Sequence, residues 1–139
     1  MDLNELNVYQ IAQEIGENIW EIVKTWKYFE KETFGKQLTR AADSIAANIA
    51  EGFGRFHYSE NRLFCFYVCG FIKTWLTKSF YRKLISEDQY NSILKSIDDL
   101  SIRLNNYIKS INNLSAVKEP QNDYPKLPEP LNDYLVTIV

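Results

Sequence analysis

QLTRAADSIAANIAEGFGR, residues 37–55 of this chain, decides the fold because it sorts residue types onto opposite sides of one helix. At about 100° per residue, one side is apolar. The apolar residues are Leu38, Ala42, Ile45, Ile49 and Phe53. The other side is polar, with Arg40, Ser44, Asn48, Glu51 and Arg55. The pattern predicts a helix that packs on one side and leaves its polar side to meet something else.

Three further helical segments can be drawn around this one, and no stretch alternates with period two for long enough to suggest a sheet. The first segment spans about residues 5–29, and its apolar residues, which end with Trp26 and Phe29, recur mostly at intervals of three and four and are assigned to one face. The second segment contains the motif quoted above and spans about residues 33–53. The third spans about residues 59–84. The helices are therefore expected to be twenty or more residues long, with short connections.

The fourth segment has the most regular pattern. It opens with Ser86-Glu87-Asp88-Gln89, in which Ser and Gln have the spacing of a capping box. Its apolar positions then alternate at three and four residues: Tyr90, Ile93, Ile97, Leu100, Leu104, Tyr107 and Ile111. Such a seam favours partner helices at a shallow crossing angle. Residues 1–113 are therefore predicted to form an all-α, up-down-up-down four-helix bundle.

Residues 114–139 have a different character and are predicted to form an extended, Pro-rich C-terminal tail. They hold all four prolines of the chain, Pro120, Pro125, Pro128 and Pro130. No helix survives that density of proline, and polyproline-like backbone is expected. Within the tail, Asn-Asp-Tyr occurs twice, at residues 122–124 and 132–134. Two interpretations stay open: a disordered tail, or an arm that docks on its own bundle or on a neighbouring subunit.

The length and the composition exclude several classes of protein. The 139 residues suffice for one domain, and the net charge of −2 gives no overall attraction to nucleic acid or membrane. The first residues, Met1 to Glu5, lack the basic and apolar regions of a secretory signal. The longest uncharged apolar run, residues 63–72, is about half of a membrane-spanning helix. A soluble, cytoplasmic protein with no membrane partner is expected.

The residues that carry chemistry elsewhere form no constellation here. Cys65 and Cys69 lie in apolar surroundings and are expected to be buried thiols in a reducing compartment. A metal site built from them and His57 would need further ligands that no spacing supplies. His57, the only histidine, has no nucleophile pattern near it. The expectation is therefore no catalytic residue, no metal and no cofactor, and hence no enzyme.

Charge is uneven along the chain. Residues 61–86 contain five basic residues and no acid, whereas residues 1–60 contain six basic and ten acidic residues. The five are Arg62, Lys73, Lys78, Arg82 and Lys83, and aromatic residues alternate with them. Such a mixture can contact phosphates and stack on bases. Alternatively, the aromatics form the bundle core and the basic side chains are solvated or pair with acids of the first helix.

Residues 37–55 also resemble QLxRAAxSIxANIAEGxGR, the motif of the bacterial four-helix bundle proteins. That family was first noticed as reading frames inside intervening sequences of large-subunit rRNA genes. Residues 6–10 resemble the opening of the family, and residues 56–58 and 82–86 resemble a branch that includes the accessory variability determinant of diversity-generating retroelements. In the third helix, Gly70-Phe71-Ile72-Lys73-Thr74 leads directly to Trp75-Leu76, so the serine and glutamate of the family pattern have no counterpart here.

The resemblance implies a homo-oligomeric ring, commonly a pentamer, with a basic surface that binds RNA or DNA and a reverse transcriptase. The candidate phosphate-contacting residues are Arg40, Arg55, Arg62, Lys73, Lys78, Arg82 and Lys83. The candidate residues of a polar interface are Ser44, Asn48 and Glu51. The hypothesis is a non-enzymatic, self-associating nucleic-acid-binding or reverse-transcriptase-accessory module. The alternative is a purely structural scaffold, or an adaptor for a protein partner, with no nucleic-acid role.

Overall fold

The computed structural model describes residues 2–53 and 59–115, except for the side chains of residues 59–63 and 111–115. Within those ranges the chain is helical and contains no strand. The elements, in chain order, are a 3₁₀ turn (Leu3–Glu5), α1 (Asn7–Val23), α2 (Tyr28–Glu30), a π-helical segment (Lys31–Gly35), α3 (Lys36–Gly52), α4 (Ser59–Tyr81) and α5 (Glu87–Ser115). The four long helices are α1, α3, α4 and α5.

Each long helix packs mainly against two others. Helix α1 lies against α3, α3 against α4, α4 against α5, and α5 returns to α1. Successive helices joined by short connections run antiparallel, so the arrangement is the expected up-down-up-down bundle. The α1–α3 connection and the α4–α5 connection therefore lie at the same end. We call this the elbow end and define it as residues 24–40 and 78–88.

The buried side chains follow the periodicity of the sequence. On α5, Ile93, Ile97, Leu100 and Leu104 are buried, and Tyr90 and Tyr107 are half-buried. This confirms the regular seam as far as residue 107, since the side chain of Ile111 lies outside the described set. On α3, the apolar side is buried as expected from Leu38 to Ile49, and Phe53 packs partly against the core.

The first helix is shorter than the sequence pattern suggested. Helix α1 ends at Val23, and the Trp26 backbone N–H donates to the Val23 carbonyl oxygen at 2.9 Å, which turns the chain. The chain becomes helical again at Tyr28, five residues before the expected start of the second helix. Trp26 stays in the core, but Phe29, assigned to the same apolar face by its spacing, is exposed. The prediction for Phe29 was wrong because the turn after Val23 interrupts the helix. The spacing of three and four residues then no longer keeps side chains on one face.

Helix α4 ends at Tyr81, three residues before the predicted end. Lys83 has a left-handed backbone with φ of 61°, the only non-glycine residue with positive φ in the described part of the chain. The Leu84 N–H donates to the Ser79 carbonyl oxygen at 2.8 Å, and the Lys83 N–H donates to that of Phe80 at 3.0 Å. These two bonds form a Schellman motif, which normally places glycine where Lys83 lies.

The capping box predicted for the fourth helix is present. The backbone N–H of Ser86 donates to Gln89 Oε1 at 2.9 Å, and the backbone N–H of Gln89 donates to Ser86 Oγ at 3.1 Å. These bonds satisfy two of the donors that a helix start leaves unpaired. Helix α5 then continues to Ser115, two residues past the predicted domain boundary. The first two residues of the predicted tail are thus helical, and the rest of it, residues 116–139, lies outside the described residues.

Candidate functional site

The antiparallel topology gathers basic residues at the elbow end. Lys78, Arg82 and Lys83 lie at the end of α4, and the α1–α3 connection brings Lys27 and Lys36 to the same end. Altogether, residues 24–40 and 78–88 hold eight basic and four acidic residues. The elbow end is therefore a positive region of a chain whose net charge is −2. Such a local excess attracts anionic partners.

A cluster of aromatic side chains lies beneath these basic residues, on the core side of the elbow end. The ring centroids of Trp26 and Phe34 are 5.8 Å apart, and those of Phe34 and Trp75 are 4.6 Å apart in an edge-to-face arrangement. The indole N–H of Trp26 donates to the Leu84 carbonyl oxygen at 3.0 Å, which ties the α1–α3 connection to the α4–α5 connection. The cluster therefore joins the α1–α3 connection to the end of α4 and the α4–α5 connection, which are distant from it in sequence.

Two of the basic side chains rest on these rings. The Arg82 guanidinium lies 5.1 Å from the centroid of Phe34, and Lys78 Nζ lies 5.3 Å from the centroid of Trp75. These distances are within the range of cation–π attraction. Both residues remain exposed to solvent. The rings therefore hold two positive charges at the surface without neutralising them.

The α4–α5 side of the elbow end is closed by a second aromatic pair. Phe80 and Tyr90 stack with centroids 5.2 Å apart and ring planes inclined by 24°. The hydroxyl groups of Tyr90 and Thr77 are within hydrogen-bond distance, at 3.1 Å. These contacts fix the end of α4 relative to the start of α5, so the basic residues beside them lie on a well-supported surface.

Three aromatic side chains project into solvent around this support. Tyr28, Phe29 and Tyr81 are 79%, 70% and 77% exposed. The sequence places Tyr28 and Phe29 next to Lys27, and Tyr81 next to Arg82. Exposed aromatic rings beside lysine and arginine can stack on unpaired bases while the cations contact phosphates. The same surface also suits an acidic, aromatic peptide.

The structure separates the remaining candidate phosphate-contacting residues. Arg40 is exposed on α3, one turn beyond Lys36 at the elbow end. Lys73 forms an ion pair with Asp98 across the α4–α5 contact, so a carboxylate of the same chain already faces it. Arg55 and the side chain of Arg62 lie outside the described residues. Four of the seven candidates, Arg40, Lys78, Arg82 and Lys83, thus share one end of the bundle.

The polar side of α3 is largely satisfied by its own backbone. Ser44 Oγ donates to the Ala41 carbonyl oxygen at 2.7 Å, and Asn48 Nδ2 donates to the Ser44 carbonyl oxygen at 2.8 Å. Both residues are half-buried, whereas Glu51 is exposed near the end of the helix. The predicted polar interface is therefore a row of half-buried and exposed side chains along α3. Its Glu51 end lies away from the elbow end.

The two cysteines are packing residues. Both are free and buried, as predicted. Burial raises the pKa of the Cys65 thiol to about 12, which keeps it protonated and unreactive at neutral pH. In the part of the chain that the structure covers, no group of three or more His, Cys, Asp or Glu could hold a metal ion. His57 is not among those residues.

Four members of this surface were not predicted from the sequence: Lys27, Tyr28, Phe29 and Lys36. They lie about fifty residues from the end of α4, and only the antiparallel arrangement brings the two segments together. Phe29 was also assigned to the apolar face of a continuous first helix. The sequence did contain one indication of this surface, the high density of lysine in residues 24–36. The negative net charge of residues 1–60 as a whole concealed it.

A family model described as 23S rRNA-intervening sequence protein matches residues 4–106. The chain belongs to this family. The match covers α1 to α4 and most of α5, and it ends before the Pro-rich tail. Membership in the intervening-sequence protein family confirms the resemblance seen in residues 37–55, while the relation to retroelement accessory proteins stays a prediction. No curated protein sequence matches the chain. Among the described helices, none is long and apolar enough to cross a membrane.

Proposed function

We propose that this member of the intervening-sequence protein family is a non-enzymatic module that binds single-stranded nucleic acid at its elbow end. The observation that carries the proposal is the convergence of Lys78, Arg82 and Lys83 with exposed Tyr28 and Tyr81 at one end of the bundle. Unpaired bases expose the faces that aromatic side chains stack on, and the accompanying phosphates match the local positive charge.

Two further observations favour nucleic-acid binding over the alternative that the basic side chains are simply solvated. Lys78 and Arg82 lie over aromatic rings, so part of the entropy cost of ordering them is already met in the free protein. The name of the family also refers to an intervening sequence of 23S rRNA. An RNA ligand, or an enzyme that acts on RNA such as a reverse transcriptase, is the partner class that we propose.

The test is a titration of labelled single-stranded RNA, followed by fluorescence anisotropy at several salt concentrations. We compare two double variants that change the net charge equally: Lys78→Glu with Lys83→Glu at the elbow end, and Lys95→Glu with Lys109→Glu on the exposed side of α5. Arg82 is left in place because it also covers Phe34. Removing one phosphate-binding cation reduces the slope of log K against log salt by about 0.7 for a single strand.

The elbow-end variant is expected to bind at least about tenfold more weakly and to show a salt slope reduced by about 1.4, because two cations no longer bind phosphate. The α5 variant is expected to bind with nearly unchanged affinity and slope. Equal losses of affinity in the two variants would show that only net charge matters. Unchanged binding in the elbow-end variant would refute the assignment.

A second candidate function is self-assembly, which the outer side of α4 favours. Phe66 and Tyr67 are 40% and 45% exposed, and a Cβ atom at nearby Gly70 would meet no other atom of the described residues within 4 Å. Exposed aromatics beside an open glycine suit close approach of another helix. We propose that this side contributes to a homo-oligomer, for which the family resemblance favours a pentamer.

Sedimentation velocity tests self-assembly independently of nucleic acid. Tyr67→Glu is compared with Ile102→Glu, which places the same charge at an exposed apolar position of α5. We expect only Tyr67→Glu to shift the protein from a mass of several protomers towards one. A wild-type protein that sediments as a single protomer would exclude this function, and equal shifts in the two variants would exclude the assigned surface.

A further inference from the structure

The elbow end combines positive charge with exposed aromatic rings, and the same chain carries a segment of matching chemistry. Residues 127–139 contain two acidic residues, Glu129 and Asp133, and no basic residue. They also contain Tyr134 and two of the four prolines. Aromatic surfaces recognise proline-rich segments because polyproline II backbone loses little entropy on binding. The charges of the two partners are opposite, which favours their association.

The length of α5 decides which part of the tail can return to the elbow end. Helix α5 begins at Glu87 beside the elbow end and ends at Ser115. At about 1.5 Å per residue, its 29 residues carry the chain about 42 Å away. Any segment beyond Ser115 that docks on the elbow end of its own bundle must cover that distance again.

The two Asn-Asp-Tyr triplets differ in whether they can do so. Tyr124 is nine residues beyond Ser115 and reaches at most about 31 Å in a fully extended chain. Tyr134 is nineteen residues beyond Ser115 and reaches about 59 Å in polyproline II geometry. Within one protomer, therefore, only residues 132–134 have the length to return to Lys78, Arg82 and Tyr81.

We propose that residues 132–134 dock on the elbow end of their own bundle. Asp133 faces the cations at the end of α4, and Tyr134 packs beside the exposed Tyr28 and Tyr81. The segment thereby occupies the surface that the proposed function assigns to nucleic acid. Docking itself does not depend on that function, but its consequence does: the tail competes with RNA and lowers the affinity of the full-length chain.

Site-specific photo-crosslinking in the full-length protein, without nucleic acid, tests the docking. The photoreactive residue p-benzoylphenylalanine replaces Tyr134 in one protein and Tyr124 in a matched control. We expect the Tyr134 position to crosslink within its own chain to peptides containing residues 24–40 or 78–88, and the Tyr124 position not to do so. High salt is expected to reduce the yield severalfold, because the contact is partly ionic.

Three results would overturn the proposal: no crosslink from position 134, equal crosslinks from both positions, or crosslinks only between chains. The last would assign the docking to a neighbouring protomer, for which the reach of α5 is irrelevant. Measuring the crosslinks at a protein concentration low enough to suppress random collisions, and repeating at a tenfold higher one, separates the two, because an intrachain yield does not depend on concentration.

RNA affinity tests the consequence separately. Asp133→Asn with Tyr134→Ala is expected to bind single-stranded RNA at least about threefold more tightly than the wild type, because the competing tail loses one exposed ion pair and one aromatic contact. The matched change, Asp123→Asn with Tyr124→Ala, is expected to leave the affinity unchanged. If no protein binds RNA while the position-134 crosslink forms, the proposed function fails and the docking stands. Tight RNA binding without that crosslink refutes the docking alone.

Discussion

Helices α3 and α4 are neighbours in sequence and in space, yet they use their side chains in opposite ways. Helix α3 is narrow because alanines line it: Ala41 and Ala42 are fully buried, and Ala46 is half-buried. Helix α4 is broad, with Phe64, Cys65, Val68 and Leu76 inside and further aromatics outside. One helix has a single apolar side, and the other has apolar residues on every side.

This difference shows where the molecule has apolar surface beyond what its own core requires. An amphipathic helix such as α3 meets its packing needs within one chain, whereas a helix that is apolar all round is usually covered on all sides. Tyr67 and Tyr81 lie on the uncovered part of α4. The helix that conforms to the family motif thus serves mainly the fold, and the helix with the irregular pattern carries the candidate interaction surfaces.

Substitutions on the inner and outer sides of α4 are expected to differ most in their effect on the free energy of unfolding. Leu76 is 1% exposed, and Leu76→Ala is expected to lower the free energy of unfolding by about 2–5 kcal/mol, since it removes buried methyl groups and leaves a cavity. Tyr81→Ala, on the same helix but exposed, is expected to change it by no more than about 0.5 kcal/mol. Urea denaturation measures both.

A large loss of stability in Tyr81→Ala would mean that the outer aromatics support the fold of the protomer itself. The surplus of apolar residues on α4 would then have an intramolecular explanation. Equal unfolding slopes in the two variants serve as the control, because a changed slope would indicate that the denatured or native state had also changed its compactness.

Glycines at the start of α3 and inside α4 are expected to respond to substitution in opposite directions, with effects of intermediate size. Gly35, immediately before α3, is buried, and a Cβ atom there would lie 2.5 Å from Val23 Cγ1 and 3.2 Å from Trp26 Cε3. Gly35→Ala is therefore expected to destabilise the protein by about 1–3 kcal/mol through overpacking. Gly70, inside α4, has no neighbour of its Cβ position in the part of the chain that the structure covers, so Gly70→Ala is expected to stabilise the protomer by about 1 kcal/mol through helix propensity.

Thermal or urea unfolding at a protein concentration where the chain is a single protomer gives both values. If Gly70→Ala stabilises the protomer but weakens self-association, the close approach of a second helix at Gly70 is supported. A neutral Gly35→Ala would contradict the tight packing between the start of α3 and the end of α1.

Much of this architecture could be predicted from the residues alone, because it depends on local chemistry. The α5 seam and the Ser86–Gln89 capping box follow from spacing within one helix, and both are present. The end of α1 at Val23 could not be predicted in the same way. Trp26, just after that end, donates its indole N–H to the Leu84 carbonyl oxygen, 58 residues away in sequence, and no window along the sequence contains both partners.

The candidate site shows the same division. The basic residues at the end of α4 were evident from composition, but their convergence with Lys27, Lys36 and Tyr28 is a property of the topology. Lys83 also misled the prediction of the helix end, because the left-handed position of a Schellman motif usually has glycine as its marker. Local rules therefore predicted the helices, while the surface they build at the elbow end required the assembled bundle.

The smallest expected effect concerns the polar side of α3 where it meets α1. Asp43 lies against Gly16, whose missing Cβ would be 2.7 Å from Asp43 Oδ1. Partial burial, and secondly the nearby charge of Glu17, raise the pKa of Asp43 above its ordinary 3.8. Because the folded state holds this proton more strongly than the unfolded state, the stability from Asp43 is present below about pH 3.8 and is lost as the pH rises through the folded pKa.

Asp43→Asn removes the charge and should remove this pH dependence. Urea unfolding at pH 7 is expected to show the variant more stable than the wild type by no more than about 0.5 kcal/mol, the usual range for an exposed position. As the pH is lowered towards and below 3.8 the advantage is expected to shrink, because the wild-type carboxyl is increasingly protonated and loses its charge as well. The same advantage throughout this pH range would mean that the amide gains a contact of its own. The close packing of α1 against α3, and not the charge of Asp43, would then account for the difference in stability. It would also be what distinguishes this side of α3 from the exposed side of α4.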